Sequence, residues 1–239
     1  MRPSIDLSRF DVLTFDCYGT LIDWEAGLLA GLRRALGGTA AEIDDDDLLE
    51  RYAAAEAELE GGPYRPYREI LALALDRVAA TLRATPSREE RDAFAGSVRD
   101  WPPFADSSRA LARLSERYQM GVVTNCDDDL FEHSHARLGG LFRWVITAQQ
   151  AGAYKPSLRN FELALERIGA SPEKVLHVAQ SLYHDHVPAK RLGLATAWVN
   201  RRHGRPGSGA TPSAEGATAD LTVLNMDELV DLALGPPGR

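Results

Sequence analysis

Asp16, Thr20, Thr124-Asn125, Lys155 and Asp185 are the side chains of this sequence best suited to chemistry, and most stand just beyond a short apolar run. Asp16-Cys17-Tyr18-Gly19-Thr20 follows Val12-Leu13-Thr14-Phe15, which reads as a buried strand. A buried strand of an α/β sheet delivers reactive groups at its C-terminal end, and a glycine turn there offers backbone N–H groups to an anion. Asp16 is thereby placed as a nucleophile or a metal ligand, and Thr20 as a hydroxyl able to hold its carboxylate. An Asp that merely caps a turn is the plainer alternative. Thr124-Asn125 offers small polar groups to an anion or carboxylate, although alone the pair reads as the cap of the next helix. Lys155 stands just before a helix start, where a solvated lysine is the competing reading. Gln180-Ser181 and Asp185 follow another apolar run, and Asp185 also suits a plain helix start.

Jointly these groups are electrostatically self-consistent. Two carboxylates in one dry cleft repel, and one would protonate without a cation nearby. A lysine contributes roughly 4 kcal/mol at about 4 Å and an effective dielectric of about 20, enough to keep both ionised.

The elements that must position them fall into two kinds. Residues 23–99 carry no convincing strand. Leu28, Leu32 and Leu36 recur at helical spacing until Gly37-Gly38, and a second helix starts at the carboxylates 44–47 and runs to Leu59. A third spans 67–82, and Thr85-Pro86-Ser87 opens a fourth that holds Phe94 and Val98. After Trp101-Pro102-Pro103 the pattern alternates. Helices are expected over 110–118, 130–138, 158–168 and 187–192 and from Asp227, with strands over 121–124, 144–147, 175–179, 196–199 and 221–224. Residues 201–219 read as a Gly/Pro/Ser-rich loop. Such alternation predicts an α/β fold with a parallel sheet wrapped by helices. The expected organisation is an α/β core of residues 1–22 and 100–239 with an all-helical insertion over 23–99.

A net charge of −8 argues against a nucleic-acid partner, and 44% apolar residues suffice for a core. The two cysteines, Cys17 and Cys126, make no disulfide framework, so a reducing cytoplasm is the expected compartment. No stretch approaches the roughly 18 apolar residues of a membrane span, and no membrane partner is expected. A homodimer is compatible with a helical insertion, without direct support from the sequence.

In the order and spacing of these segments the chain resembles the haloacid dehalogenase (HAD) superfamily over nearly its whole length. Residues 16–21 look like the first motif, Thr124-Asn125 the second, Lys155-Pro156 the third and the 180–185 region the fourth. The resemblance implies a Rossmann-like core with a helical cap. Tyr18 stands where the phosphatases of the superfamily place a second Asp, and Gln180 where they place a magnesium-binding Asp. Cys17-Tyr18 instead resembles the type II L-2-haloacid dehalogenases, as does Trp198-Val199-Asn200-Arg201-Arg202. That likeness implies a cofactor-independent hydrolase of a small 2-haloalkanoic acid. In it Asp16 forms an ester with the substrate, Asp185 orients or deprotonates the hydrolytic water, Lys155 keeps Asp16 charged and Thr20 fixes its rotamer. Backbone amides of Cys17 and Tyr18, with Thr124, Asn125 and Gln180, would bind the substrate.

The chain also departs from that branch. The dehalogenases carry a halide-receiving Arg in the cap, and the matching stretch 38–47 has no Arg or Lys and four consecutive Asp, read as a solvated helix start. Arg68, in Tyr64-Arg65-Pro66-Tyr67-Arg68, is the substitute candidate, ahead of Arg33 and Arg34. Gln180, Leu182 and Phe161 replace the branch's Ser, Asn and Tyr. His184 and His186 flank Asp185 and invite readings as metal ligands or water activators, but no metal is expected, because i and i+2 on a helix do not face together. Cys17 reads as a packed small residue rather than a reactive thiol. A magnesium-dependent phosphatase and a catalytically silent binding module are the alternatives.

Overall fold

The computed structural model describes residues 5–205, 214 and 216–235. Its centre is a six-stranded parallel sheet in the order β3-β2-β1-β4-β5-β6. The strands are β1 (Val12–Phe15), β2 (Gln119–Thr124), β3 (Trp144–Thr147), β4 (Val175–Ala179), β5 (Ala195–Val199) and β6 (Leu221–Val223). Chain order reverses on either side of β1, so β1, β2 and β4 lie side by side with their C-terminal ends at one crevice. Phe15 is in register with Val122 on one side and Val178 on the other. β1 and β4 are buried along their whole length, which explains their continuous apolar runs.

Between β1 and β2 come α1 (Trp24–Leu36), α2 (Asp45–Glu60), α3 (Tyr67–Thr81), α4 (Arg88–Ala95) and α5 (Ser107–Leu114). The first of these stop and start where the local chemistry demands. Gly37, at φ 56°, ends α1 in a backbone region that suits glycine. Asp44 caps α2 by accepting from the Asp46 amide, and Ser87 and Glu90 form a reciprocal capping box at α4. Leu28, Leu32, Leu48, Tyr52, Ile70, Leu71, Leu75, Phe94 and Val98 are all buried in the same core that reaches the sheet. The acidic run is a solvated helix start, as expected: Asp45 pairs with Arg33 and Asp47 with Arg51. The helical insertion leaves and rejoins the sheet through one stem. Ile22 bridges antiparallel to Pro103, and the Asp23 amide donates to Pro102 O at 2.8 Å.

The remaining helices are α6 (Asp128–Arg137), the single turn α7 (Ala148–Ala151), α8 (Leu158–Ile168), α9 (Val187–Arg191) and α10 (Met226–Leu234). α5 starts and ends earlier than the expected 110–118: it closes at Leu114, and residues 115–117 turn the chain so that Gln119 can enter β2. Of the predicted loop 201–219, residues 206–213 and 215 lie outside the described residues, and the described ones form no helix or strand. No helix among the described residues is long and apolar enough to cross a membrane.

Candidate active site

Lys155 is the hub of the crevice. It is 2% exposed, and its Nζ donates to Asp16 Oδ1 at 2.8 Å, Asp185 Oδ1 at 2.7 Å and the Val123 carbonyl at 3.0 Å. An ammonium has three protons, and these three acceptors use them all. Thr20 Oγ1 donates to the other Asp16 oxygen at 2.6 Å and accepts from the Gln180 amide at 2.9 Å. Both oxygens of Asp16 are thus fixed. Gly19, at φ 90°, turns the chain so that Thr20 can reach back to Asp16.

Asp185 arrives by an unusual route. Residues Leu182–His186 form a single wide turn of π type between β4 and α9, with the His186 amide donating five residues back to Ser181 O at 3.4 Å. Such turns recur at functional sites because they shift a side chain off the regular helical position. Asp185 is 1% exposed, and its Oδ2 has no hydrogen-bond partner among the described residues.

A residue hidden within an apolar run completes the arrangement. His177, in the middle of β4 and fully buried, lies with Nε2 3.0 Å from Asp185 Oδ1 and Nδ1 3.0 Å from Thr14 Oγ1. A carboxylate oxygen only accepts, so Nε2 carries the proton and Thr14 donates to Nδ1. A signal for it existed. Thr14 and His177 are register partners on adjacent strands, and a histidine inside an apolar run must find a polar partner. Phe161, the replacement for the branch's Tyr, packs edge-on against this imidazole at 5.0 Å.

The charges follow from the packing. Burial alone would raise Asp185, but Lys155 and His177 overcome it and hold the carboxyl well below the usual range. Asp16 is raised, since its burial and the nearby Asp185 outweigh the same lysine. Burial would lower Lys155, yet the two carboxylates drive its ammonium upward, so it stays charged.

A small cavity, partly open to solvent, lies over these groups. Asp16, Tyr18, Asn125, Lys155, Gln180 and Asp185 line it as the sequence predicts, and Trp24, Glu56, Glu60 and Tyr67 add a wall from α1, α2 and α3. The two glutamates were not anticipated. Leu49, Tyr52, Glu56 and Glu60 recur on one face of α2, and acids continuing a buried stripe were the available clue.

Several predicted roles need correction. Arg68 lies outside the cavity lining. Pro66 gives α3 no side-chain cap, so Asp127 reaches across and accepts from the Tyr67 and Arg68 amides at 2.8 and 3.0 Å. That pins the backbone, and the Arg68 side chain pairs with exposed Asp129 at 2.6 Å. Arg33 is likewise spent on Asp45 and the carbonyls of Ala40 and Ile43. Thr124 and the Cys17 side chain are fully buried and do not line the cavity. Asn125 turns inward: its Oδ1 accepts from the Lys155 amide at 2.7 Å, and its Nδ2 donates to Lys155 O and Glu60. Its observed contacts therefore hold the lysine's backbone. The Tyr18 hydroxyl points away to Ser134 Oγ at 3.1 Å. Burial pushes the Cys17 thiol up, as befits a packed side chain. His186 is buried, with Nε2 on Ala179 O, while His184 reaches the cavity wall and burial lowers it to about 4.

The sheet order, the helical insertion and this Asp–Thr–Lys–Asp constellation define a hydrolase site of the HAD type. The chain belongs to the haloacid dehalogenase-like hydrolase family, whose model matches residues 10–191. Haloacetate dehalogenase H-2 of Moraxella sp. is 24% identical over 229 residues, 95% of this chain and 99% of its own. The phosphoserine phosphatase of Thermus thermophilus is 27% identical over 199 residues, 82% of this chain and 75% of its own. The L-2-haloacid dehalogenase from Xanthobacter autotrophicus, solved with chloropropionic acid covalently bound, shares the fold with a TM-score of 0.79 at 21% identity, over 95% of this chain and 99% of that one.

Proposed function

We propose that the protein is a hydrolytic dehalogenase of small 2-haloalkanoic acids that works through an ester on Asp16, with residues 23–99 acting as the cap over the site. The observation that carries this reading is the single ammonium of Lys155 shared by Asp16 and Asp185. It opposes the upward push of burial on Asp16 and, with Thr20 on the other oxygen, holds the carboxylate immobile for attack. One Asp16 oxygen attacks C2 of the substrate, the C–X bond breaks, and the halide leaves with the bonding pair. Water then attacks the ester carbonyl. Asp185, whose Oδ2 has no partner among the described residues, accepts its proton and returns it to the C2 oxygen as the ester bond breaks; the 2-hydroxy acid departs, and the Asp16 carboxyl gives up its proton to solvent. Thr20 holds Asp16 for in-line approach, and His177 holds Asp185. The curated relatives named above include a haloacetate dehalogenase, which supports this class of substrate.

Phosphate-ester hydrolysis would bring magnesium, and the residues present do not fit that ion. A hard cation wants charged oxygens. Here Lys155 occupies one oxygen of each aspartate, Tyr18 turns its hydroxyl to Ser134, and Gln180 brings a neutral amide.

The test is halide release from 2-chloro- and 2-bromopropionate with EDTA present, beside p-nitrophenyl phosphate with magnesium. Release in the first arm that disappears in Asp16→Asn, with a substrate-sized mass adduct trapped on the peptide holding Asp16, is expected. Activity confined to the second arm would overturn the reading, as would an adduct on another residue.

A further inference from the structure

The cap side of the cavity is acidic where a departing anion must go. Lys155 is the sole cation among the described residues that line it, and Asp16 and Asp185 consume that charge. Facing them are Glu56 and Glu60, one helical turn apart on α2. Glu56 Oε1 accepts from Tyr52 OH at 3.0 Å and Tyr67 OH at 2.9 Å, which holds that carboxyl in place. Glu60 Oε2 accepts from Asn125 Nδ2 at 3.3 Å, the amide that also braces Lys155. Asp185, whose Oδ2 is buried and without a partner among the described residues, also lines this cavity, so the space between these groups is built for a ligand.

Four carboxyls grouped around one ammonium repel one another, and those least compensated by donors protonate first. Burial and the neighbouring Glu56 push Glu60 well above the ordinary range. A neutral carboxylic acid is a hydrogen-bond donor, and a strong one toward an anion.

We propose that Glu60, positioned by Asn125 and seconded by Glu56, receives the leaving group as a carboxylic-acid donor, the task for which the cap offers no arginine. This inference rests on the dehalogenase reading and narrows its substrates to those whose leaving group is a good hydrogen-bond acceptor. As Asp16 bonds to C2 and the C–Cl bond breaks, chloride leaves with the electron pair and accepts the Glu60 O–H. The proton stays on Glu60, because chloride is a far weaker base than a carboxylate. Chloride accepts hydrogen bonds better than iodide, so Glu60 favours chloro- over iodo-substrates relative to their intrinsic reactivity.

The experiment compares kcat/KM for 2-chloropropionate and 2-iodopropionate in the wild type, Glu60→Ala and Glu60→Gln. The chloro/iodo ratio should fall about tenfold in Glu60→Ala, the loss expected on removing a hydrogen bond to an anion. Glu60→Gln, whose amide still donates, should hold the ratio within about threefold of the wild type. An unchanged ratio in Glu60→Ala, or an equal fall in both variants, overturns the inference while leaving the dehalogenase reading intact. Wild type that releases neither halide overturns that reading first. Chloride binding, read from ³⁵Cl NMR line broadening at mildly acid pH, then decides about Glu60 independently. Broadening lost in Glu60→Ala and kept in Glu60→Gln supports it; none in the wild type, or equal broadening in all three proteins, rejects it.

Discussion

His177 Nε2 lies 3.0 Å from the same Asp185 oxygen that Lys155 Nζ reaches at 2.7 Å. One carboxylate oxygen thus carries two donors, and the imidazole is in turn held by Thr14. The histidine keeps Asp185 low and oriented, with its other oxygen left for water. His177→Phe should therefore slow turnover by about 10- to 100-fold, the range for a lost hydrogen bond to a charged group. The sign of the pH effect follows. Asp185 loses a donor that lowers it, so its folded pKa rises, and the acid limb of the ester-hydrolysis step, in which Asp16 is esterified and does not titrate, moves to higher pH. An acid limb that stays in place would show that His177 does not act through Asp185.

Lys155→Met removes the charge and keeps most of the volume. Asp16 and Asp185 would then share a dry site without a cation, and breaking such a buried pair costs about 3–5 kcal/mol. In the intact site Asp185 sits below its ordinary value of 3.8, so its contribution is present above that pH and is lost on acidification toward the folded value. Without the lysine both carboxyls rise, and stability should instead fall as pH increases through neutrality. Urea unfolding across this range measures the slope. A variant that keeps the wild-type slope would mean that Lys155 is not the charge that sets these two groups.

The sheet, the helical insertion and the Asp16–Thr20–Lys155–Asp185 constellation were legible because each depends on local pattern. Strands buried on both faces read as apolar runs, and reactive groups stand at their ends. What was hidden depends on where side chains go. The charge of Arg68 and its position in the chain suit a halide site, yet Asp127 pins its backbone and Asp129 takes its guanidinium. Asn125 was chosen for its polarity, and its contacts serve the Lys155 backbone. Glu56 and Glu60 are silent in the sequence because glutamate on a helix is usually solvated. His177 was concealed by a run that read as pure core.

Glu56 gives a measurable consequence of its burial. Packing within the cap raises it from 4.5 to about 7, against the opposing hydrogen bonds from Tyr67 and Tyr52. A raised acid binds its proton more tightly in the folded state, so its stabilisation is full below pH 4.5 and declines as pH rises toward 7. The decline amounts to about 3 kcal/mol. Glu56→Gln keeps an acceptor for both tyrosines and cannot ionise. It should flatten the fall in unfolding free energy between mildly acid and neutral pH, and be more stable than the wild type at the upper end. Parallel urea titrations of the two proteins check this. Curves that keep a constant separation would show that Glu56 does not titrate in this interval.

Gly27 on α1 tests how the insertion holds the cavity wall. A Cβ there would lie 2.3 Å from Trp101 Cγ and 2.4 Å from Cδ1. Trp101 is 2% exposed, its Nε1 donates to Ser97 Oγ at 3.2 Å, and its ring meets Tyr18 edge-on at 5.5 Å. The indole therefore cannot swing away freely, and Tyr18 lines the cavity beside Asp16. Gly27→Ala should cost about 1–3 kcal/mol as overpacking, and the displaced indole should press on Tyr18 and raise KM more than it lowers kcat. Pairing Gly27→Ala with Trp101→Leu makes room for the methyl group, so the double variant should be more stable than the sum of the two single losses predicts. Strict additivity in thermal unfolding would mean that α1 tolerates the methyl group without moving Trp101, and that the indole is not the link between this helix and the wall at Tyr18.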